Sequence, residues 1–253
     1  MKIKTILFSL SLLNLVACSS LTHQFDAKRA QGIHKVAIVA FEIHQQKPAD
    51  NLGIGALSSM NQGLDKEAAV LKKMGLKVAN NFSAQIEKKT KWQVLPINTV
   101  IANPAYKERV AGTMTGMRSV TMVGPSYESI YPDGLLDMAA FRKLTLEERA
   151  KLAKDLGVDA LAEVNIMNNI EQSRFSLGHA FGGGSFAFSG SASLEVYDVT
   201  SNDPVWRSQN VSGEVTEKSE DLSDKMSKIE KLSTLGEKAS NMAISKLVES
   251  YSL

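Results

Sequence analysis

The 253-residue sequence predicts an α/β fold, a single mixed sheet with helices packed on it. Three observations point there. Lys35-Val36-Ala37-Ile38-Val39-Ala40-Phe41 is apolar at odd and even positions alike, as in a strand covered on both faces. Leu71, Met74, Val78, Phe82 and Ile86 recur three or four residues apart, which draws one apolar stripe along a helix. Thr145-Leu146-Glu147-Glu148 has the pattern of a capping box, and Gly157 follows where a helix stop requires a left-handed residue.

The elements follow in order β-α-β-α-β-β-β-α. The strand at 35–41 leads through a small-residue stretch at 53–63 to a helix expected over 65–89. Lys88, Lys89 and Lys91 close that helix where cations suit its dipole. A second strand is expected at 92–97. Residues 98–132 are the least regular: Asn103-Pro104 can start a short helix, and turn formers such as Pro125, Pro132 and Gly134 gather at the end. The capped helix of 145–156 runs into a third strand over 159–166. A hairpin is expected from 185–200 and 204–214 with Ser201-Asn202-Asp203 as its turn. A last helix carries Leu235, Ala239, Met242, Ala243, Leu247 and Tyr251 on one face.

The N-terminus carries a different message. Lys2 and Lys4 precede an apolar run from Ile6 to Val16, and small Ala17 stands before Cys18, the only cysteine. This is the pattern of a secretory signal peptide over residues 1–17. The run is shorter than the ~20 apolar residues that a membrane-spanning helix needs, and one cysteine cannot make an internal disulfide. Leu15-Val16-Ala17-Cys18 resembles a bacterial lipobox, and that resemblance implies a diacylglyceryl thioether and an acylated amine on Cys18. Ser19 behind the anchor resembles the pattern sorted to the outer membrane. Residues 18–33 then read as a lipidated tether with a reach on the order of 20 Å. Residues 34–253 read as one periplasmic α/β domain with an irregular insertion at about 98–132.

Two of the 29 basic side chains, Lys2 and Lys4, lie in the signal, which leaves 27 against 27 acidic ones. A neutral domain has no electrostatic reason to bind nucleic acid. The 43% hydrophobic content argues for a packed core and against disorder.

No cluster in the sequence forms a catalytic signature. Gly178-His179-Ala180-Phe181-Gly182-Gly183-Gly184 lacks the lysine and the following helix of a phosphate cradle. His23, His34, His44 and His179 do not fall at metal-ligand spacing. Ser185 precedes a strand and lacks the second glycine of a nucleophile elbow. Glu147 and Glu148 are explained by capping. Glu163 can point from its strand into a cleft, but its neighbours in sequence offer no partner. No cofactor is expected beyond the covalent lipid on Cys18.

Three phrases carry a family resemblance: the lipobox followed by residues 35–41; Leu152-Ala153-Lys154-Asp155-Leu156-Gly157-Val158-Asp159-Ala160-Leu161; and Ala192-Ser193-Leu194-Glu195-Val196-Tyr197-Asp198-Val199-Thr200 ending in Val205-Trp206. Together they resemble a group of bacterial envelope lipoproteins. The group includes the curli-secretion-channel lipoprotein, the lipoprotein activators of penicillin-binding proteins and the N-terminal domain of the Tol-system translocation protein. The likeness spans most of residues 35–250. The chain departs from the group in its Gly/Met-rich 98–132 segment and in Thr200-Ser201, where Thr-Gly is usual.

The expected function is a non-enzymatic lipoprotein at the outer membrane, facing the periplasm, whose domain binds or scaffolds another envelope protein. Met117, Arg118, Tyr127 and Tyr131 are the expected contacts, because methionine and aromatic side chains suit adaptable surfaces. An oligomeric export channel, and so a homo-oligomer, is the alternative; an envelope hydrolase ranks third.

Overall fold

A computed structural model describes residues 23–46, 60–110, 119–121, 126–130, 132, 134–172, 186–216 and 225–251. Its strands are β1 (His23–Phe25), β2 (Lys35–Gln46), β3 (Gln93–Leu95), β4 (Ser119–Thr121), β5 (Ser126–Ile130), β6 (Ala160–Gln172), β7 (Phe186–Asp198) and β8 (Trp206–Ser212). Its helices are α1 (Ala27–Ala30), α2 (Met60–Thr90), α3 (Ile97–Ala102), α4 (Pro104–Val110), α5 (Met138–Arg142), α6 (Leu146–Leu156) and α7 (Lys225–Glu249). All described strands join one mixed sheet in the order β1-β8-β7-β6-β2-β5-β4, with β3 also paired to β2.

β2 is the middle of this sheet. It runs parallel to β6 along one edge, while its other edge is shared by β3 near its start and β5 near its end. Val36 to Phe41 are buried on both faces, as the unbroken apolar run requires. The β2–β6 register shifts between Ile38 and Ala40, so Val39 is an extra residue on β2. The buried hydroxyl of Tyr106 on α4 meets it: it donates to the Val39 carbonyl at 2.6 Å and accepts from the Leu136 N–H at 2.8 Å. One phenol thus satisfies the bulged Val39 carbonyl of β2 and the amide of Leu136, which bridges to Ala40 on the stretch of β2 between β3 and β5.

Every residue of the predicted α2 stripe is buried. α2 and α7 lie side by side on one face of the sheet and pair through Lys77–Glu237 (3.2 Å), Asn81–Asn241 (2.7 Å) and Gln85–Ser245 (3.1 Å). Each pair is 160 residues apart, so the two helices run parallel. α7 sits close on β7 and β8: a Cβ on Gly190 would lie 2.4 Å from the Ala239 carbonyl oxygen, and one on Gly213 would lie 2.6 Å from the Ala243 nitrogen. Aromatic Trp92, Trp206, Phe25 and Tyr251 close the end of this core with ring centroids 4.9–6.3 Å apart.

The capping box on α6 forms as predicted, with Thr145 and Glu148 exchanging hydrogen bonds, and Gly157 adopts φ 65°. Asn103 accepts from the Tyr106 N–H at the start of α4. Three expectations need correction. Residues 23–30, expected as tether, form β1 and α1 of the domain: β1 pairs with β8, and Arg29 on α1 makes a bidentate pair with Asp198 at 2.7 and 2.8 Å. The second strand is only three residues long, because Pro96, which has no N–H to give a ladder, precedes α3. The 98–132 segment holds α4, β4 and β5, and the element order therefore has more members than the eight expected.

Candidate functional site

Alternation along β6 sorts its residues onto two faces. Ala162, Val164, Ile166, Asn168 and Ile170 point toward α2 and α7. Asn168 illustrates the side: it donates to the Gly236 carbonyl (3.1 Å) and to Ser240 Oγ (2.9 Å) of α7. Leu161, Glu163, Asn165, Met167 and Asn169 point the other way. On that side, among the described residues, α5 and α6 pack near the start of β6, where Phe141 meets Tyr197 at 6.0 Å and Arg149 lies 4.4 Å over the Tyr197 ring. Beyond Glu163 the face opens: Asn165 is half-buried and Met167 is 38% exposed.

A pocket of about 190 Å³ lies at this boundary, lined by Met138, Arg142, Glu163, Asn165, Ser193 and Glu195, with Gln209 and Asn210 at its margin. Glu163 and Glu195 face each other directly across β6 and β7. Glu163 is 1% exposed and takes a hydrogen bond on Oε1 from Arg142 Nε at 2.8 Å. Its other oxygen, Oε2, is buried without a hydrogen-bond partner, and so is Asn165 Oδ1. Burial pushes the Glu163 carboxyl above the ordinary range; Arg142 offsets this only in part, and the negative Glu195 adds to it.

Glu195 shifts the other way. Burial opposes its ionisation, but donors from Tyr197, Arg207 and Gln209 outweigh burial and hold its carboxyl below the ordinary range. Both of its oxygens are engaged: Arg207 and Gln209 meet Oε1, and Tyr197 meets Oε2. Glu195 is thus a fixed anchor of the pocket wall, while Glu163 keeps an oxygen free.

A larger depression of about 460 Å³ runs along the α2–α7 seam, but several of its polar side chains are paired with one another, as in Lys77–Glu237. Among the described residues no group of three His, Cys, Asp or Glu is placed to hold a metal ion, and no helix is long and apolar enough to cross a membrane.

Of the residues singled out in the sequence, Tyr127 lies on β5 at the edge of the open face. Its hydroxyl donates to Asn169 Oδ1 at 2.8 Å, four residues along β6 from Asn165. Cys18, Met117, Arg118 and Tyr131 lie outside the described residues, as do the 178–184 glycine loop with His179, and Ser185. His23 bonds Ser208 and His44 bonds Ser129. Glu163, which had no partner in its sequence neighbourhood, finds Arg142 from 21 residues away. Arg142, Asn165 and Glu195 carried no sequence signal of their own. The one available trace was polar residues at alternate positions in Ala160-Leu161-Ala162-Glu163-Val164-Asn165.

No protein-family model matches the chain, and no curated protein matches it. Among solved structures it is similar to lipoprotein GNA1162 from Neisseria meningitidis, at 13% identity over 79% of this chain and 93% of that one, with a TM-score of 0.30. It is also similar to the hypothetical protein CT253 from Chlamydia trachomatis, at 10% identity over 85% of this chain and 96% of that one, with a TM-score of 0.32.

Proposed function

We propose that this chain is a non-enzymatic bacterial lipoprotein, held at the outer membrane by lipid on Cys18 and facing the periplasm, whose domain docks another envelope protein on the open face of β6 and β7. The observation that carries the docking reading is the uneven covering of the sheet. One face is sealed by two long helices, while the other exposes Met167 beside half-buried polar residues next to a pocket with unpaired acceptors. Tyr127 extends the same strip and keeps its place as a contact. Met117, Arg118 and Tyr131 remain candidate contacts on sequence grounds alone.

The distance from the anchor supports the same reading. The first residue of β1, His23, lies five positions after Cys18, a span of at most ~18 Å. Through β8 and β7, His23 stands level with Val164 of β6, between Glu163 and Asn165 where the strip begins. A partner in or beside the membrane would meet the strip there.

Affinity purification of the acylated protein from its own cells tests this. Mass spectrometry of the mature N-terminus should find acylated Cys18, and Cys18→Ala should leave the protein unlipidated. A specific envelope protein should co-purify with wild type and be lost from Met167→Arg at unchanged thermal stability. An unmodified Cys18, or a partner set that Met167→Arg leaves intact, would overturn the reading.

A further inference from the structure

The pocket beside the open strip has a chemical complement. Two buried acceptors, Glu163 Oε2 and Asn165 Oδ1, line it without partners, and a buried acceptor left unmade costs about 1–3 kcal/mol. A natural fold retains such groups where a ligand or an ordered water meets them. The surrounding charges decide what kind of ligand fits. Glu163 and Glu195 face Arg142, Arg207 and the Arg149 guanidinium stacked on Phe141 and Tyr197. Two carboxylates against three guanidinium groups leave no excess of negative charge to attract a cation, and the free acceptors repel an anion. The Arg142 side chain is 54% exposed, so it can also donate outward. The ligand that matches is neutral, with two N–H donors for the acceptors and one oxygen for the guanidinium.

We propose that this pocket binds a carboxamide, supplied by an Asn or Gln side chain of the docked partner. Asn165 is itself a carboxamide, and amide pairs are self-complementary, each giving one N–H and taking one. Apolar Met138 lines the pocket beside the polar groups and offers a surface to the methylene stem. The inference rests on the docking reading for its source of ligand, but the pocket's preference can be measured without any partner.

The test is saturation-transfer NMR on the full mature protein in detergent, with propionamide, propionate and propylammonium as probes of equal size. Propionamide should bind at least about tenfold more tightly than either charged probe, since each mismatch forfeits a hydrogen bond or more. Asn165→Leu should abolish the propionamide signal. Should that variant fail to fold, the selectivity of wild type among the three probes decides alone. N-acetylglutamine methylamide should outcompete N-acetylleucine methylamide; equal competition would assign the pocket to a backbone amide and overturn the side-chain source. No propionamide binding, indicating a water-filled pocket only, or a preference for propylammonium or propionate, would overturn the proposal. Failure here with a partner still captured would leave the docking reading standing; success with no partner captured would remove that reading and leave the pocket.

Discussion

The same two strands do opposite work on their two faces. Toward α2 and α7, β6 and β7 present Ala162, Val164, Ile166, Phe188, Ala192 and Leu194, all buried. The polar inlay there, Asn168, is wholly buried and bonded to Gly236 and Ser240. The helix approaches closely enough that Gly190 and Gly213 have no space for a side chain. Toward the other side the same strands present Glu163, Asn165, Met167 and Glu195, with one carboxylate oxygen and one amide oxygen unpaired. The period of two in a strand lets one face be tuned for stability and the other for contact without either intruding on the other.

This contrast can be broken most forcefully on the sealed face. Gly190→Ala would put a methyl against the backbone of Ala239 and should cost about 3 kcal/mol, seen as a fall of roughly 10 °C in Tm. A wild-type Tm would mean that α7 does not sit as close as described. Next in size is Tyr106→Phe, which strands the Val39 carbonyl and the Leu136 amide. A loss of about 2 kcal/mol in urea unfolding is expected, and no loss would show that water replaces the hydroxyl.

Two smaller effects separate the carboxylates by the sign of their pH dependence. Burial opposes ionisation of Asp198, yet hydrogen bonds from Arg29 and Thr200 hold its carboxyl below the ordinary value of 3.8. Its contribution is present above that value and fades as pH falls through the lowered one. Asp198→Asn should therefore cost about 1–2 kcal/mol near neutrality and progressively less in acid. Glu163 carries the opposite sign. Its raised carboxyl keeps a proton in the folded state after the unfolded chain has lost it, so wild type loses stability as pH climbs from the ordinary 4.5 through the raised value. Urea midpoints against pH should show Glu163→Gln gaining on wild type across that window. A parallel profile for the two proteins would mean that Glu163 titrates normally.

The sequence was most legible where neighbours along the chain carry the physics. The double-sided apolar run of β2, the α2 stripe, the Thr145 capping box and the αL Gly157 are all local patterns, and each forms. β1 was missed because His23-Gln24-Phe25 is short and polar, and its reason to be a strand is the edge of β8 some 180 residues away. The end of β3 was misjudged because Val94 and Leu95 look like a continuing strand until Pro96 takes effect. The site was hidden for the same reason as β1. Glu163 meets Glu195 and Arg142 only once β6, β7 and α5 are assembled, and a carboxylate with no nearby charge in sequence looks like any solvated acid.

The most direct test of the two-face account is site-specific photo-crosslinking in living cells, with a photoreactive residue placed in turn at Met167 and Ser191 on the open face and at Leu76 on α2. Leu76 and Met167 are equally exposed, at 38% each, so accessibility alone does not distinguish them. The account predicts one discrete crosslinked envelope protein from Met167 and Ser191 and none from Leu76. The same adduct from Leu76, or adducts from Leu76 alone, would place the contact on the helical face and contradict it.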